Sequence, residues 1–384
     1  MGELAAMYRL VELTKEELKV QTKVDDFEMW GAPALTKEQY QKKEALQRAT
    51  AFSQRGSIFW ALVGRVQGDD SSGDASDAAV NAGKDLIYCH CESHRFDCVF
   101  RNRKGEIVHG FSHHIGSVFT LPSHRKNGLA SFFLTEIAKS MAKRPNAVAS
   151  VLYSDIGPTY YDKLGWRLHP STIAELNVAA ARNTAAIETG KDASTGTKLF
   201  LDQELDAFLA QDNRCIVDEM SGGQYDGKEV FAALPTRDSI EWQFCIGVHY
   251  ANIRGFKDLP SQCGLKLDND AFVVWCHNLK ESTLYIVRAR FPKDASRHDA
   301  VLQLLRAALV EAKAFQLDHV AIWDPPSLLF APEIVSKLDV VKEERQDSLS
   351  SAMIFAQHRG GQASAAEGNA ALPIWIANEK FAWV

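Results

Sequence analysis

The chain has 384 residues, 46% of them hydrophobic and 24% charged, with a formal net charge of −6. At roughly 150 residues per domain it holds two or three domains and can bury most of its unfolded surface without disulfides or a structural metal. That excludes a disordered tail, a fibrous repeat and a small secreted scaffold, and the acidic balance argues against a general nucleic-acid binder. Seven cysteines are an odd count without a paired Cys-x-x-Cys framework, as expected in a reducing compartment. The first residues lack a basic stretch followed by an apolar one, and no apolar run reaches the ~18 residues of a membrane span. A cytoplasmic protein with no membrane or nucleic-acid partner is expected.

Residues 7–13 read as a strand. Thr14 with Glu17 has the form of a capping box and predicts a helix to about Met29, broken by Gly31 and Pro33. Thr36 opens a second helix, to about Ser53. Residues 58–66 are strand-like, and 67–85, rich in Asp, Ser, Gly and Ala, read as a loop. Two long strands follow at 86–100 and 106–121, joined by the turn 102–105. Leu129, Phe133, Ile137 and Met141 recur every four positions and predict a helix over 127–143. A short strand at 147–153 leads to a short helix at 158–164, closed by Gly165.

Residues 173–199 read as a linker with at most one helical stretch. A second domain is expected over 200–384, its clearest element a helix near 297–315 carrying Val301, Leu304, Leu305, Ala308, Leu309 and Ala312 on one face. A repeat of strand, helix, strand recurs at an offset of about 170 residues, so the second domain reads as a degenerate copy of the first. It carries Ala295 and His298 where the first carries Arg125 and Gly128, and is expected to hold no cofactor of its own.

The stretch with chemistry in it is Val118-Phe119-Thr120-Leu121-Pro122-Ser123-His124-Arg125-Lys126-Asn127-Gly128-Leu129-Ala130. A strand ends, and after a loop a helix begins on Arg-x-x-Gly-x-Ala. The free amides of a helix start favour an anion, Gly128 lets backbone approach closely, and Arg125 and Lys126 add charge. This is a pyrophosphate cradle, but neither a P-loop nor a dinucleotide fingerprint. About 30 residues on, after a strand, comes Tyr160-Tyr161-Asp162-Lys163-Leu164-Gly165-Trp166.

Together the two motifs resemble the GNAT superfamily of acetyl-coenzyme A N-acetyltransferases, over roughly residues 7–170. The resemblance implies an α/β (α+β) fold with a mixed central sheet, residues 1–172 forming the acetyl-CoA-binding catalytic domain. Two departures are Ser154-Asp155 in place of the usual Asn, and Asn127 where Gly is frequent. The resemblance implies that Val118-Phe119-Thr120 is the cofactor-binding strand end. The backbone of Val118 and Thr120 would pair with the pantetheine arm, and the Val118 amide would polarise the thioester. Arg125, Lys126, Asn127, Gly128, Leu129 and Ala130 would hold the pyrophosphate.

Deprotonating an alkyl ammonium of pKa about 10.4 at pH 7 costs roughly 4–5 kcal/mol, so a base is needed, and the departing thiolate needs a proton. By the resemblance Tyr161 supplies that proton. His114 falls where the superfamily carries a Glu or His base, and simple alternation puts His114, Gly116 and Val118 on one face. Cys89, Cys91, His94 and Cys98 lack a second ligand pair, and no metal is expected.

Trp30-Gly31 with Leu35-Thr36-x-x-Gln39-Tyr40, the run Tyr153-Ser154-Asp155-Ile156-Gly157, and the end Glu379-Lys380-Phe381-Ala382-Trp383-Val384 are similar to the fungal L-lysine N6-acetyltransferase family. That similarity implies N6-acetylation of free L-lysine in lysine breakdown, with the second domain contributing to the acceptor site. Asp25, Asp26 and Glu28, with Trp30, lie where the fold builds its acceptor site, and Arg288, Arg290 or Arg254 could hold a carboxylate. The apolar end of the chain is expected to dock, with the Val384 carboxylate near the acceptor amine as an alternative to His114. Acetylation of protein lysines or another small amine, and a non-catalytic sensor or scaffold, are the other readings.

Overall fold

A computed structural model describes residues 2–65, 76–189, 196–268, 270–292, 294, 297–358 and 372–384. The first half contributes β1 (Tyr8–Leu13), β2 (Ile58–Gly64), β3 (Ile87–Arg101), β4 (Ile107–Thr120), β5 (Ala147–Ser154), β6 (Arg167–Leu168) and β7 (Thr172–Asn177). The second contributes β8 (Thr197–Phe200), β9 (Val230–Ala233), β10 (Gln262–Lys266), β11 (Phe272–Asn278), β12 (Thr283–Arg290), β13 (His319–Trp323), β14 (Val340–Glu344), β15 (Leu349–Ile354) and β16 (Ile374–Trp375).

They form two mixed sheets. One runs β1-β2-β3-β4-β5-β15-β6, with β9 and β16 added beyond β3, and the other runs β14-β7-β13-β12-β11-β10-β8. In each sheet a strand–helix–strand unit makes a parallel pair. The units are β4, helix Leu129–Ala142 and β5, then β12, helix His298–Ala314 and β13. The expected repeat is therefore a structural one, and the α/β class with two similar halves stands. His298 opens its helix near Glu333, 3.9 Å away, while Ala295 lies outside the described residues.

The first helix of this kind buries Leu129, Phe132, Phe133, Leu134, Ile137 and Met141 against the sheet. Each such side chain is worth about 1.5–3 kcal/mol of apolar burial. Trp60 and Trp166 are fully buried, and each indole N–H donates to a serine hydroxyl, Ser93 (2.8 Å) and Ser150 (3.0 Å).

Three local expectations need correction. The capping box at Thr14 does not form, because the helix Glu16–Asp25 is capped from a distance: the Asp77 carboxylate accepts from the amides of Thr14 (2.7 Å) and Lys15 (2.9 Å). That helix also stops at Asp25, and a separate turn, Phe27–Trp30, follows. Thr36 does make its box, with Gln39. The stretch 173–199, expected as a linker, holds most of β7 and the helix Ala181–Glu188. Only Ala174 and Leu176 of β7 are buried, too short an alternation to stand out in a sequence.

The halves exchange strands. β7 joins the second sheet between β13 and β14, while β15 enters the first between β5 and β6. A buried ion cluster adds a further tie. Arg288 on β12 donates to Asp212 (2.7 Å) of the helix Gln203–Met220 and to Glu379 (2.7 Å) near the chain end. Arg290 donates to Asp212 as well (2.8 Å). No helix among the described residues is long and apolar enough to cross a membrane.

Removing one partner of a buried pair leaves an uncompensated charge, which costs about 3–5 kcal/mol. Asp212→Ala should lower stability by that amount in urea titration. A loss under about 1 kcal/mol would mean that Glu379 alone satisfies Arg288.

Candidate active site

The site is built on β4. One edge pairs with β3 throughout, but pairing with β5 ends at Ile115 opposite Leu152, and the last residues, 116–120, splay away. Their backbone faces a gap. At Ser117 the strand carries an extra residue: Glu92 lies opposite Gly116 and His90 opposite Phe119, so three steps on β4 face two on β3. Ser117 takes a positive φ of 54° to do this. A bulge reverses the alternation beyond it. Val118 therefore turns with Ile115 toward the helix Leu129–Ala142, and not, as expected, with His114 and Gly116. Phe119 turns to the other face, packing on His90 (5.1 Å) and Trp30 (6.0 Å).

Beyond β4 the chain folds back at Arg125, whose Nε donates to the Thr120 carbonyl (3.0 Å). Lys126 and Gly128 both have positive φ, 66° and 74°. A Cβ on Gly128 would meet only Leu4, at 3.9 Å, so glycine is required here by φ and not by space. The helix beginning at Leu129 has no side-chain cap. Its first amides, with the open β4 edge, fit an extended thioester arm and a pyrophosphate. Val118, Phe119, Thr120, Arg125 and Ala130 line a cleft of ≈ 860 Å³, and Trp30, Tyr161 and Val384 line it as well. Lys126, Asn127 and Gly128 stand exposed outside it, and Leu129 points into the core, leaving it only its backbone for a ligand.

Tyr161 is buried, and burial pushes its hydroxyl well above the usual phenol range, so it stays protonated at neutral pH. Tyr160 packs edge-on against it, and its hydroxyl meets Ser131 Oγ (3.2 Å), tying this turn to the helix start.

His114 is fully buried, and both ring nitrogens are engaged. Nδ1–H donates to the carbonyl of Ala382 (2.7 Å), and Nε2 accepts from the Ser112 hydroxyl (2.9 Å). Because a carbonyl only accepts, this network assigns the neutral Nδ1–H tautomer. Burial pushes the imidazole pKa down to about 3. The tail it grips is held again by the Gln243 side-chain amide, which donates to the carbonyls of Lys380 (2.8 Å), Phe381 (3.1 Å) and Trp383 (2.9 Å). Val384 then lies over Gly116, where any Cβ would stand 2.9 Å from its oxygen.

The opposite face of the cleft is charged. The buried Lys23 ammonium contacts Glu92, Glu44 (3.1 Å) and Asp26 (3.6 Å), and Lys43 pairs with Glu44 (2.6 Å). Two ammonium groups thus meet three carboxylates, and of these Glu44 and Glu92 line the cleft. Burial alone would raise the Glu92 carboxyl, but Lys23 and a contact from His94 hold it below the usual range. Asp26 sits at about 6, raised by burial against the pull of Lys23.

The family model described as the LYC1 GNAT-like C-terminal domain matches residues 182–384, just over half of the 384. The chain belongs to the LYC1 GNAT-like family. The uncharacterized protein YGR111W of Saccharomyces cerevisiae is 24% identical over 311 residues, covering 74% of this chain and 73% of its own length. Saccharomyces cerevisiae N-myristoyltransferase with bound myristoyl-CoA superposes with a TM-score of 0.50 at 11% identity, over 90% of this chain and 79% of the enzyme. A GCN5-related N-acetyltransferase from Kribbella flavida gives a TM-score of 0.48 at 11% identity, over 91% and 72% of the two chains. At these identities the structural likeness shows the fold alone. Membership supports GNAT acetyltransferase activity, which draws on acetyl-CoA.

For this LYC1 GNAT-like chain, several expected site residues are placed elsewhere. Neither Asp25 nor Asp26 lines the cleft. The helix ends at Asp25 and turns Asp26 inward, where it accepts from the Tyr40 hydroxyl (2.9 Å). Arg288 and Arg290 are taken by Asp212 and Glu379, and Arg254 donates to the Leu279 carbonyl (2.6 Å). Among the described residues no group of three or more His, Cys, Asp or Glu stands where it could hold a metal ion. Sequence reasoning missed Glu92, Gln243, Lys43 and Lys280. Glu92 left a signal, a carboxylate amid the buried run of β3, whereas Gln243 is one polar residue on a helix with many.

A ring that stays neutral down to about pH 3 cannot supply a rate limb near pH 6.5. His114→Ala should keep the pH position of any acidic limb in kcat/KM, while kcat falls roughly tenfold as the tail loses a hydrogen bond. Disappearance of the limb would show that His114 titrates as the base.

Proposed function

We propose that this protein transfers an acetyl group from acetyl-CoA to the N6-amine of free L-lysine. The carrying observation is the cleft itself. It runs from an open strand edge and an uncapped helix start to an anionic face, and residues of the second half cover that face. Trp242, Ile246, Tyr250, Asn278, Lys280 and Glu281 line the cover. A covered cleft supports a small acceptor over a protein chain, and the carboxylates of Glu92 and Glu44 that line it favour an ammonium-bearing one.

Bound acetyl-CoA supplies an activated thioester. In our reading residues 1–172 are the catalytic domain. The Val118 and Thr120 backbone pairs with the extended arm as an added strand. The helix start at residues 128–130, with Arg125, Lys126 and Asn127 at its shoulder, holds the anionic end. Tyr161, kept protonated by burial, donates to the departing thiolate. Glu92 and Glu44 draw in the acceptor ammonium, Trp30 packs beside it, and the Val384 carboxylate takes its proton. His114 is a positioning residue, fixing the tail through Ala382. Residues 200–384 complete the acceptor site. Seven free cysteines, five of them buried, favour a reducing cytoplasmic setting.

Incubation with acetyl-CoA, a panel of free amines, lysine and a histone peptide tests the substrate. Acetyl-lysine modified at N6 is the expected product, and preference for the peptide would overturn this reading. Tyr161→Phe should lower kcat by roughly 10- to 10⁴-fold with acetyl-CoA affinity unchanged. Appending one glycine moves the carboxylate about 3.5 Å and leaves Phe381 buried. A drop in kcat/KM of about 100-fold at constant Tm is expected. Near-normal kcat/KM would remove Val384 from the mechanism.

A further inference from the structure

The acceptor face of the cleft is polarised along its length. Deep in it stand the buried carboxylates Glu92 and Glu44. At its mouth stand two ammonium groups, Lys43 and Lys280. Lys43 lies over the Tyr40 ring (5.1 Å) and pairs with Glu44. Lys280, in the turn between β11 and β12, donates once, to the Trp30 carbonyl (3.2 Å). An ammonium has three donors, so Lys280 keeps two for a ligand. Its pKa is lowered by burial and by the repulsion of Lys43, against the pull of Glu281. Glu281 beside it accepts from the Tyr285 hydroxyl (2.7 Å) and also lines the mouth.

We propose that Lys280 and Lys43 form a carboxylate subsite at the mouth of the acceptor cleft, which selects an amino acid with a long amine-bearing side chain over a simple diamine. This rests on the amine-acetylating reading above and adds to it a residue-level basis for choosing the acceptor. The two lysines are on the acceptor side. Lys280 bonds Trp30, which packs on Phe119, and Phe119 faces away from the helix that starts the cofactor cradle. An amino acid lying along this face puts its carboxylate against the outer ammonium pair and its distal ammonium against Glu92 and Glu44. Glu281 offers the opposite charge to its α-ammonium. A diamine offers no carboxylate to the free donors of Lys280 and brings a further positive charge beside it and Lys43.

The test compares lysine with 1,5-diaminopentane, which is lysine without its carboxylate, on the full chain. Wild type should favour lysine in kcat/KM. Lys280→Glu should lower the lysine-to-diamine ratio by roughly 10- to 100-fold, the size of a lost hydrogen bond to a charged group, and Lys43→Glu should move it the same way. The ratio is read on one preparation, so a partly unfolded variant does not mimic the effect. An unchanged ratio would overturn the subsite, as would a raised KM for acetyl-CoA at constant ratio, which would assign the pair to the cofactor. If no amine is acetylated, the same ratio is read as affinity by calorimetry. A Lys280-dependent preference for lysine there would uphold the subsite while removing the acetyltransferase reading.

Discussion

At Ser117 one strand carries one more residue than the strand it faces, and the site follows from that mismatch. The extra residue reverses side-chain alternation, so Val118 turns to the helix Leu129–Ala142 and Phe119 to Trp30 on the other face of the same sheet. The added twist takes β4 away from β5 after Ile115, which opens backbone that a continuous sheet would have consumed. Buried backbone groups must be paired, and an open edge in a cleft is therefore a place where an extended ligand is stabilised. The positive φ at Ser117 is a local cost, and pairing of β4 with β3 on both sides of the bulge outweighs it.

The charged face and the tail are held by opposite means. Lys23 faces Glu44, Glu92 and Asp26 inside the protein, an arrangement that contributes little net stability because desolvation offsets attraction. Its consequence is directional: carboxylates stay ionised where a hydrophobic wall would have neutralised them. The tail is held by neutral hydrogen bonds from His114 and Gln243 to four consecutive carbonyls, those of residues 380–383. Lys380 adds a cation over three rings, those of Trp383 (4.1 Å), Tyr285 (4.2 Å) and Trp323 (4.3 Å). Gly116 supplies the space for the last residue.

What was legible in the sequence was local. The long strands, the helix from Leu129 and the turn at Gly165 announce themselves by period and by turn residues, and the repeat follows from their order. The cradle was legible because Gly128 and its neighbours are contiguous. Three things were not. A bulge has no fixed signature, so counting by twos placed Val118 on the wrong face. A distant cap such as Asp77 leaves Thr14 looking like a local one. The charged face of the cleft is assembled from Glu92, Lys43 and Lys280, which are far apart in the chain, whereas the contiguous acidic run at Asp25 and Asp26 lies outside the cleft lining. His114 was noticeable as a histidine in a strand, but its partner, the Ala382 carbonyl, is a backbone group that no residue type advertises.

Strand exchange decides how the two faces of the cleft can move. β15 lies between β5 and β6, with six residue pairs to β5, and β7 lies between β13 and β14. Swinging the halves apart as rigid bodies would have to break one of these ladders, and with it the Arg288 cluster that ties β12 to the tail. A hinge needs a few residues that absorb a large change in φ and ψ without losing paired backbone. The connections here offer paired strands instead. Access to the cleft must therefore come from smaller units, side chains at the mouth such as that of the exposed Lys280, whose displacement costs no sheet pairing. In the reading proposed above, an incoming acceptor meets that outer ammonium before the fixed carboxylates, so selection by charge precedes the proton transfer proposed for Tyr161.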